Sequence, residues 1–280
     1  MKILSFLNKL KKKLSLYFTS EVDASFLNSL LEVSSINFEK KNRISDSTYF
    51  MYPSELSKCL KLAHHKYIDN TLITGLSPST KAGNIIDFGV EYAIKKLQSK
   101  NKKIFLIYKF PIRYIKKVGN DTIVIAGSAD FVSKNAVIEI KSTMDKNLLP
   151  QDSDIYQLGF YTKVISEEFN KEFNAYLIYI YRNMFLKRIY TLSKEEIETG
   201  FNKILTRALL LYSSLKNKIK LEGEAGPWCS GCPMLKECDV GSKYVKEVLK
   251  KDVDFVFERS IRDRIDALEA YKKVLGKLPF

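Results

Sequence analysis

Residues 103–143 constrain the fold more than any other part of the chain. KIFLIYKFPIRYI, DTIVIAGSADFVS and AVIEIKS follow one another with short turns at Gly119-Asn120 and Lys134-Asn135. Runs rich in β-branched and aromatic residues, punctuated by Gly and Asn, predict three strands joined by turns. The next segment, DIYQLGFYTKVISEEF, reads as a helix capped by Ser153 or Asp154, and NAYLIYIYR and LKRIYTL return to strand. A strand cluster, a helix, further strands and flanking helices define an α/β fold, a mixed sheet flanked by helices.

The flanks read as helical. YPSELSKCLKLAHHKYI predicts one helix with Ser54 as N-cap after Pro53, TGLSPSTKAG a loop, and NIIDFGVEYAIKKLQSK a second helix. Ser193 and Glu196 form a capping box that opens the long helix KEEIETGFNKILTRALLLYSSLKN. Two more helices are expected near 243–251 and 257–275. At the N-terminus Ile3, Leu7, Leu10, Leu14 and Phe18 recur at helical spacing with lysines between them, a basic amphipathic helix. The expected organisation is an N-terminal helical appendage over 1–45, a main domain over 46–240 and a C-terminal helical extension over 241–280.

Lys and Arg outnumber Asp and Glu by 46 to 32, for a net charge of +14, which favours a polyanionic partner. No stretch is apolar for long enough to be a transmembrane helix. The N-terminal apolar run is broken by Lys9, Lys11, Lys12 and Lys13, which a secretory signal would not carry. The expected location is therefore cytoplasmic.

The third strand is unusual. Side chains alternate along a strand, so Glu139 and Lys141 share one face and Ala136, Ile138 and Ile140 the other. Charges are costly to bury unless something pairs with them. A hairpin at Lys134-Asn135 brings Asp130 close to Glu139. Two converging carboxylates beside a lysine describe either the polar face of an edge strand or an all-oxygen site for Mg²⁺ or Mn²⁺.

GSADFV…VIEIKST resembles the core motif of the PD-(D/E)XK nucleases, in particular their RecB-like branch. That resemblance implies a restriction-endonuclease-like core in which Asp130 and Glu139 bind the metal, the Ile140 carbonyl is a further ligand and Lys141 serves the nucleophilic water. YQLGFY is similar to the Gln-x₃-Tyr motif of the same branch, which assigns Gln157 and Tyr161 to the active site or to DNA. Upstream, the branch carries Gly-x₃-His-x₃-Glu. GNIIDFGVE matches with Gly83 and Glu91 but has Asp87 at the histidine position, a hard oxygen ligand compatible with the same metals. His64 and His65 do not fit that motif and are expected to be structural or to face solvent.

Four cysteines remain, Cys59 and the cluster Cys229-x₂-Cys232-x₅-Cys238. In a chain expected inside the cell this spacing argues for metal rather than disulfides. Zinc and a cubane iron–sulfur cluster both accept four thiolates. The one-plus-three layout resembles the iron–sulfur staple of certain RecB-like nucleases, which implies a 4Fe-4S cluster on Cys59, Cys229, Cys232 and Cys238.

Core and staple together resemble the CRISPR-associated "Cas four" nucleases over about residues 50–240. The resemblance implies a Mg²⁺- or Mn²⁺-dependent exonuclease that trims single-stranded DNA ends and works with the CRISPR integrase proteins in acquiring spacers. Two other readings stay open: a DNA-binding subunit of an integrase complex with a weakened site, and a zinc-stabilised nucleic-acid-binding protein.

Overall fold

A computed structural model describes residues 44–45, 47–68, 90, 93–101, 105–143, 150–181, 187–259 and 261–262. The amphipathic helix expected near the N-terminus, Gly83, Asp87, Glu91 and most of the helix expected over 257–275 lie outside them. The described residues form two units. One comprises those up to Ser57 and within 85–206, the other those within 58–84 and from Arg207 onward.

The first unit is built on a seven-stranded mixed sheet. Its strands are β1 (Ile44–Ser45), β2 (Thr48–Met51), β3 (Ile107–Val118), β4 (Asp121–Val132), β5 (Ala136–Thr143), β6 (Asn174–Tyr181) and β7 (Lys187–Thr191). The order is β1-β2-β4-β5-β6-β7, with β3 paired to β4. The β2–β4 and β5–β6 pairs are parallel, the others antiparallel. Helix α3 (Asp152–Glu168) is the crossover that the parallel β5–β6 pair requires.

One edge of β4 is covered along its length by β3. The other edge is shared: β2 pairs with Thr122–Ile125, and β5 with Phe131 and Val132. Between them, residues 126–130 meet no partner strand on that edge among the described residues. This interruption creates room for a site in an otherwise continuous sheet.

On one face of β5, Ile138 and Ile140 join Phe131, Ile178 and Ile180 in a buried cluster. The alternation read from the sequence therefore holds, and Glu139 and Lys141 face the other way. Helix α4 begins at Lys194 and runs to Asn217. Its first turns approach α3 where two glycines meet: a Cβ on Gly159 would lie 3.1 Å from the Gly200 Cα. Phe160 and Phe201 stack beside them at 5.8 Å, with Tyr114 edge-on to both.

Some local expectations are corrected. The helix expected from Tyr52 is two helices, α1 (Pro53–Leu56) and α2 (Leu60–Ile68). Proline suits the first helical position and holds its predecessor extended, so Tyr52 rather than Ser54 is the N-cap. The break at 57–59 follows from a competing acceptor, because Leu60 donates its N–H to Glu224 Oε2 at 2.7 Å. Gln151, not Ser153 or Asp154, is the N-cap of α3. The strands β1 and β2 were not legible, and β3 starts four residues later than the apolar run at 103. The capping box is present: Ser193 donates its N–H to Glu196 Oε2 at 2.7 Å, and Glu196 donates its N–H to Ser193 Oγ at 3.1 Å. In the second unit, α5 (Asp239–Glu247) begins four residues before the helix expected at 243.

Candidate active site

The gap beside β4 opens into a cavity of about 360 Å³ in the first unit, lined among others by Gly127, Asp130, Glu139, Gln157 and Tyr161. Asp130 and Glu139 sit where β4 and β5 part, one position beyond the Phe131–Ile138 pair. With no ladder bond at that position, the Asp130 carboxylate substitutes for one: its Oδ2 accepts the Ile140 N–H at 2.8 Å. Ile140 thus orients Asp130 through its amide.

Four of the expected residues form one hydrogen-bonded group. Lys141 Nζ donates to Glu139 Oε1 at 2.8 Å and to Gln157 Oε1 at 3.0 Å. Gln157 Nε2 lies 3.0 Å from Glu139 Oε1 and 3.2 Å from the Tyr161 hydroxyl. The i, i+4 spacing of Gln157 and Tyr161 on α3 puts both on the face that covers β5. Gly127 makes room for this arrangement, since a Cβ there would lie 2.7 Å from the Tyr161 hydroxyl oxygen.

Burial is the main electrostatic influence. Glu139 is only 3% exposed. Burial, helped by the Asp130 charge, pushes its carboxyl up to about 7, against the pull of Lys141 and Lys109. Lys141 loses solvation too, yet Glu139, Asp154 and Asp130 outweigh that loss and hold it above the usual lysine range. It is an ammonium ion at neutral pH. Burial and the Glu139 charge likewise keep the Tyr161 phenol protonated.

Three further residues belong to this group. Asp154 Oδ1 lies 3.8 Å from Lys141 Nζ, and Asp154 Oδ2 accepts a 2.6 Å hydrogen bond from the Tyr179 hydroxyl. Lys109 forms an ion pair with Asp130 Oδ1. Its φ of 50° is left-handed, a conformation uncommon outside glycine. The Lys109–Asp130 pair is also omitted from an otherwise unbroken β3–β4 register. A signal for Lys109 existed in the sequence. A hairpin closed at Gly119-Asn120 pairs positions whose numbers sum to a constant, and that counting places Lys109 opposite Asp130.

The donor set suits a hard divalent cation. Glu139 Oε2 is buried with no hydrogen-bond partner, an acceptor that a cation would satisfy. Asp130 Oδ1 is paired with the Lys109 ammonium, whose positive charge opposes a metal held by both carboxylates.

The cysteines lie together in the second unit, as free thiols, with Cys59 and Cys229 buried. Glu224 organises them. Its N–H points at Cys59 Sγ at 3.5 Å, and its carbonyl accepts from Trp228 Nε1 at 3.1 Å and from Cys229 Sγ at 3.8 Å. Arg207 clamps the Glu224 carboxylate with bonds of 2.5 and 2.6 Å and also donates to the Lys58 carbonyl. Gly223 and Gly241 leave space for sulfur: a Cβ on Gly223 would lie 2.5 Å from Cys238 Sγ, and one on Gly241 3.6 Å from both Cys229 Sγ and Cys238 Sγ. Burial pushes the Cys232 thiol up to about 11, with the three other thiols adding to the shift. Among the described residues, no three His, Cys, Asp or Glu side chains are drawn to the spacing of a bound metal ion. The thiol chemistry suits a soft metal centre, with Arg207 and Glu224 as its scaffold.

No family model matches the chain, and no curated protein matches it. Solved structures do. The chain is similar to SSO0001 over 80% of its own length and 99% of that chain, at 19% identity and a TM-score of 0.51. A likeness at that identity shows the fold alone, an α/β architecture with a mixed sheet flanked by helices. A protein from Eubacterium rectale named "Putative exonuclease" is similar over 74% of this chain and 90% of that chain, at 10% identity and a TM-score of 0.45. No described helix is long and apolar enough to cross a membrane.

Proposed function

We propose that the chain is a metal-dependent DNA nuclease of the RecB-like PD-(D/E)XK class. The observation that carries this reading is the unpartnered, buried Glu139 Oε2 beside Asp130, in a cavity that also receives Gln157 and Tyr161. Asp130 and Glu139 would hold Mg²⁺ or Mn²⁺, with the Ile140 carbonyl and Asp87 as further ligands. When bound, such an ion supplies charge neutralisation at a phosphoryl oxygen and a more acidic water.

The chain's own residues have separate tasks. Lys141, kept protonated by its carboxylate neighbours, positions the attacking water and offsets developing negative charge on the phosphodiester. It does not accept a proton in this state. Gln157 fixes both Lys141 and Glu139, and Tyr161 presents a neutral hydroxyl donor at the cavity. The basic surface binds the phosphate backbone.

The finer reading is an end-trimming exonuclease on single-stranded DNA, cytoplasmic, with a 4Fe-4S cluster on Cys59, Cys229, Cys232 and Cys238. It processes DNA with CRISPR integrase proteins during spacer acquisition. Hydrolysis moves no electrons, so the cluster is structural. One observation favours a second reading, a DNA-binding subunit with a weakened site: the Lys109 ammonium already pairs with Asp130, where it opposes a metal cation.

The test is cleavage of end-labelled single-stranded DNA in Mn²⁺ by the wild type, Glu139→Ala and Lys141→Ala. The nuclease reading expects cleavage by the wild type and its loss in both variants. Equal cleavage by all three proteins defeats the site assignment, and a wild type that binds but never cleaves supports the second reading.

A further inference from the structure

The second unit carries a larger cavity, of about 670 Å³, that the nuclease chemistry does not use. One wall is a single face of α2, where Lys61, His64, His65 and Ile68 follow at helical spacing. The rest of the lining includes Leu215, Lys218, Lys220 and Leu221, and Met234 and Glu237 come from the cysteine loop.

Its chemistry is two-sided. Three lysines face one carboxylate, that of Glu237, and none of Lys61, Lys218 and Lys220 forms an ion pair with another described residue. His64 is 7% exposed, and its Nε2 has no hydrogen-bond partner among the described residues. A buried polar atom left unpaired in a native structure marks a place where a partner is missing. Ile68, Leu215, Leu221 and Met234 supply an apolar surface, with Ile68 67% exposed. A phosphate alone would use the lysines and leave most of this volume and all of its apolar lining unfilled.

The lysine loop is held in place. Lys218 has a left-handed φ of 55° just past the end of α4. Ser214 fastens the following residue twice: its carbonyl accepts the Ile219 N–H at 3.0 Å, and its hydroxyl donates to the Ile219 carbonyl at 2.5 Å. Lys218 and Lys220 therefore flank a fixed backbone position, which lowers the ordering cost of binding.

We propose that this cavity binds one nucleotide of a single DNA strand, its phosphodiester on the lysines Lys61, Lys218 and Lys220 and its base against the apolar lining of Ile68, Leu215, Leu221 and Met234. The proposal rests on the reading of DNA as the partner, and it assigns the second unit a strand-holding role of its own. Single strands are commonly held, without reading their sequence, by positive charge along the backbone together with a surface against the base; here aliphatic side chains supply that surface.

The experiment is fluorescence anisotropy with a fluorescein-labelled single-stranded oligothymidylate, in buffer containing EDTA and over a range of salt. Binding is thereby read without divalent metal, separately from cleavage. Lys61→Glu/Lys220→Glu should weaken binding about tenfold and reduce the salt slope by about 0.7 for each phosphate that the protein no longer neutralises. Lys116→Glu/Lys117→Glu, an exposed pair on β3, makes the same charge change elsewhere and should have a smaller effect. Leu221→Ser should weaken binding without changing the salt slope. Equal losses of affinity from the two charge-reversed pairs would overturn the proposal, because bulk charge would then account for them. Displacement of the DNA by inorganic phosphate at matched phosphate concentration would overturn the nucleotide assignment. Failure of the wild type to cleave in Mn²⁺ would count against the nuclease reading and leave this binding result standing.

Discussion

Glu139→Gln offers a quantitative view of how much the candidate site costs the fold. The buried carboxyl titrates near 7 instead of its ordinary 4.5. Between those two values the folded protein holds a proton that the unfolded chain has released. Stability therefore falls as pH rises through this window, and the full penalty is present above about 7. The gap is worth about 3 kcal/mol, at about 1.4 kcal/mol per pH unit. Glutamine keeps the shape and is always neutral, so Glu139→Gln should match the wild type below pH 4.5. Above pH 7 it should exceed the wild type by that amount, which is about 6–12 °C in melting temperature for a unit of this size. The assay is thermal melting of both proteins in EDTA across that pH range. Acidic groups away from the cavity titrate alike in both proteins, so the difference reports position 139 together with the groups it touches. Added Mn²⁺ should raise the melting temperature of the wild type and not that of the variant. A variant less stable than the wild type at pH 8, or a difference that ignores pH, would refute the reasoning.

Other perturbations separate the parts of the molecule. Glu224→Ala leaves Arg207, only 8% exposed, without its bidentate partner and frees the Leu60 N–H, which should destabilise the second unit by about 2–3 kcal/mol in urea melts. Lys109→Gly removes the cation on Asp130 and suits the left-handed backbone, so calorimetry should show Mn²⁺ bound about tenfold more tightly, close to 1.4 kcal/mol. Cys232→Ser should reduce the iron content and visible colour of the purified protein and lower its melting temperature, since metal binding is linked to folding; unchanged colour and melting would remove Cys232 from the proposed cluster.

The sheet and the site were legible to different degrees, for physical reasons. Strands β3 to β5 declare themselves because both the apolar alternation and the turn residues are local. The group of Asp130, Glu139, Lys141, Gln157 and Tyr161 follows from that register plus one helical repeat. Lys109 was legible in principle from the hairpin count, but a lysine on a strand is usually a solvent-facing residue without a role, and only its ion pair with Asp130 links it to the site. Asp154 looked like a helix cap because Asp favours that position, whereas its carboxylate serves Lys141 and Tyr179. The pairing of Arg207 with the Lys58 carbonyl and the break before Leu60 depend on contacts across 149 and 164 residues, which no local pattern encodes. β2 was missed because four residues are too few to show a period. Asp87 lies outside the described residues, and its role remains the proposal made from its position in the motif.

Metal binding by the carboxylate pair is the central claim, and titration of the wild-type protein with Mn²⁺ followed by electron paramagnetic resonance tests it most directly. The wild type should remove free Mn²⁺ from solution, and Asp130→Asn and Glu139→Gln should each abolish this. Undiminished Mn²⁺ binding in both variants would contradict it.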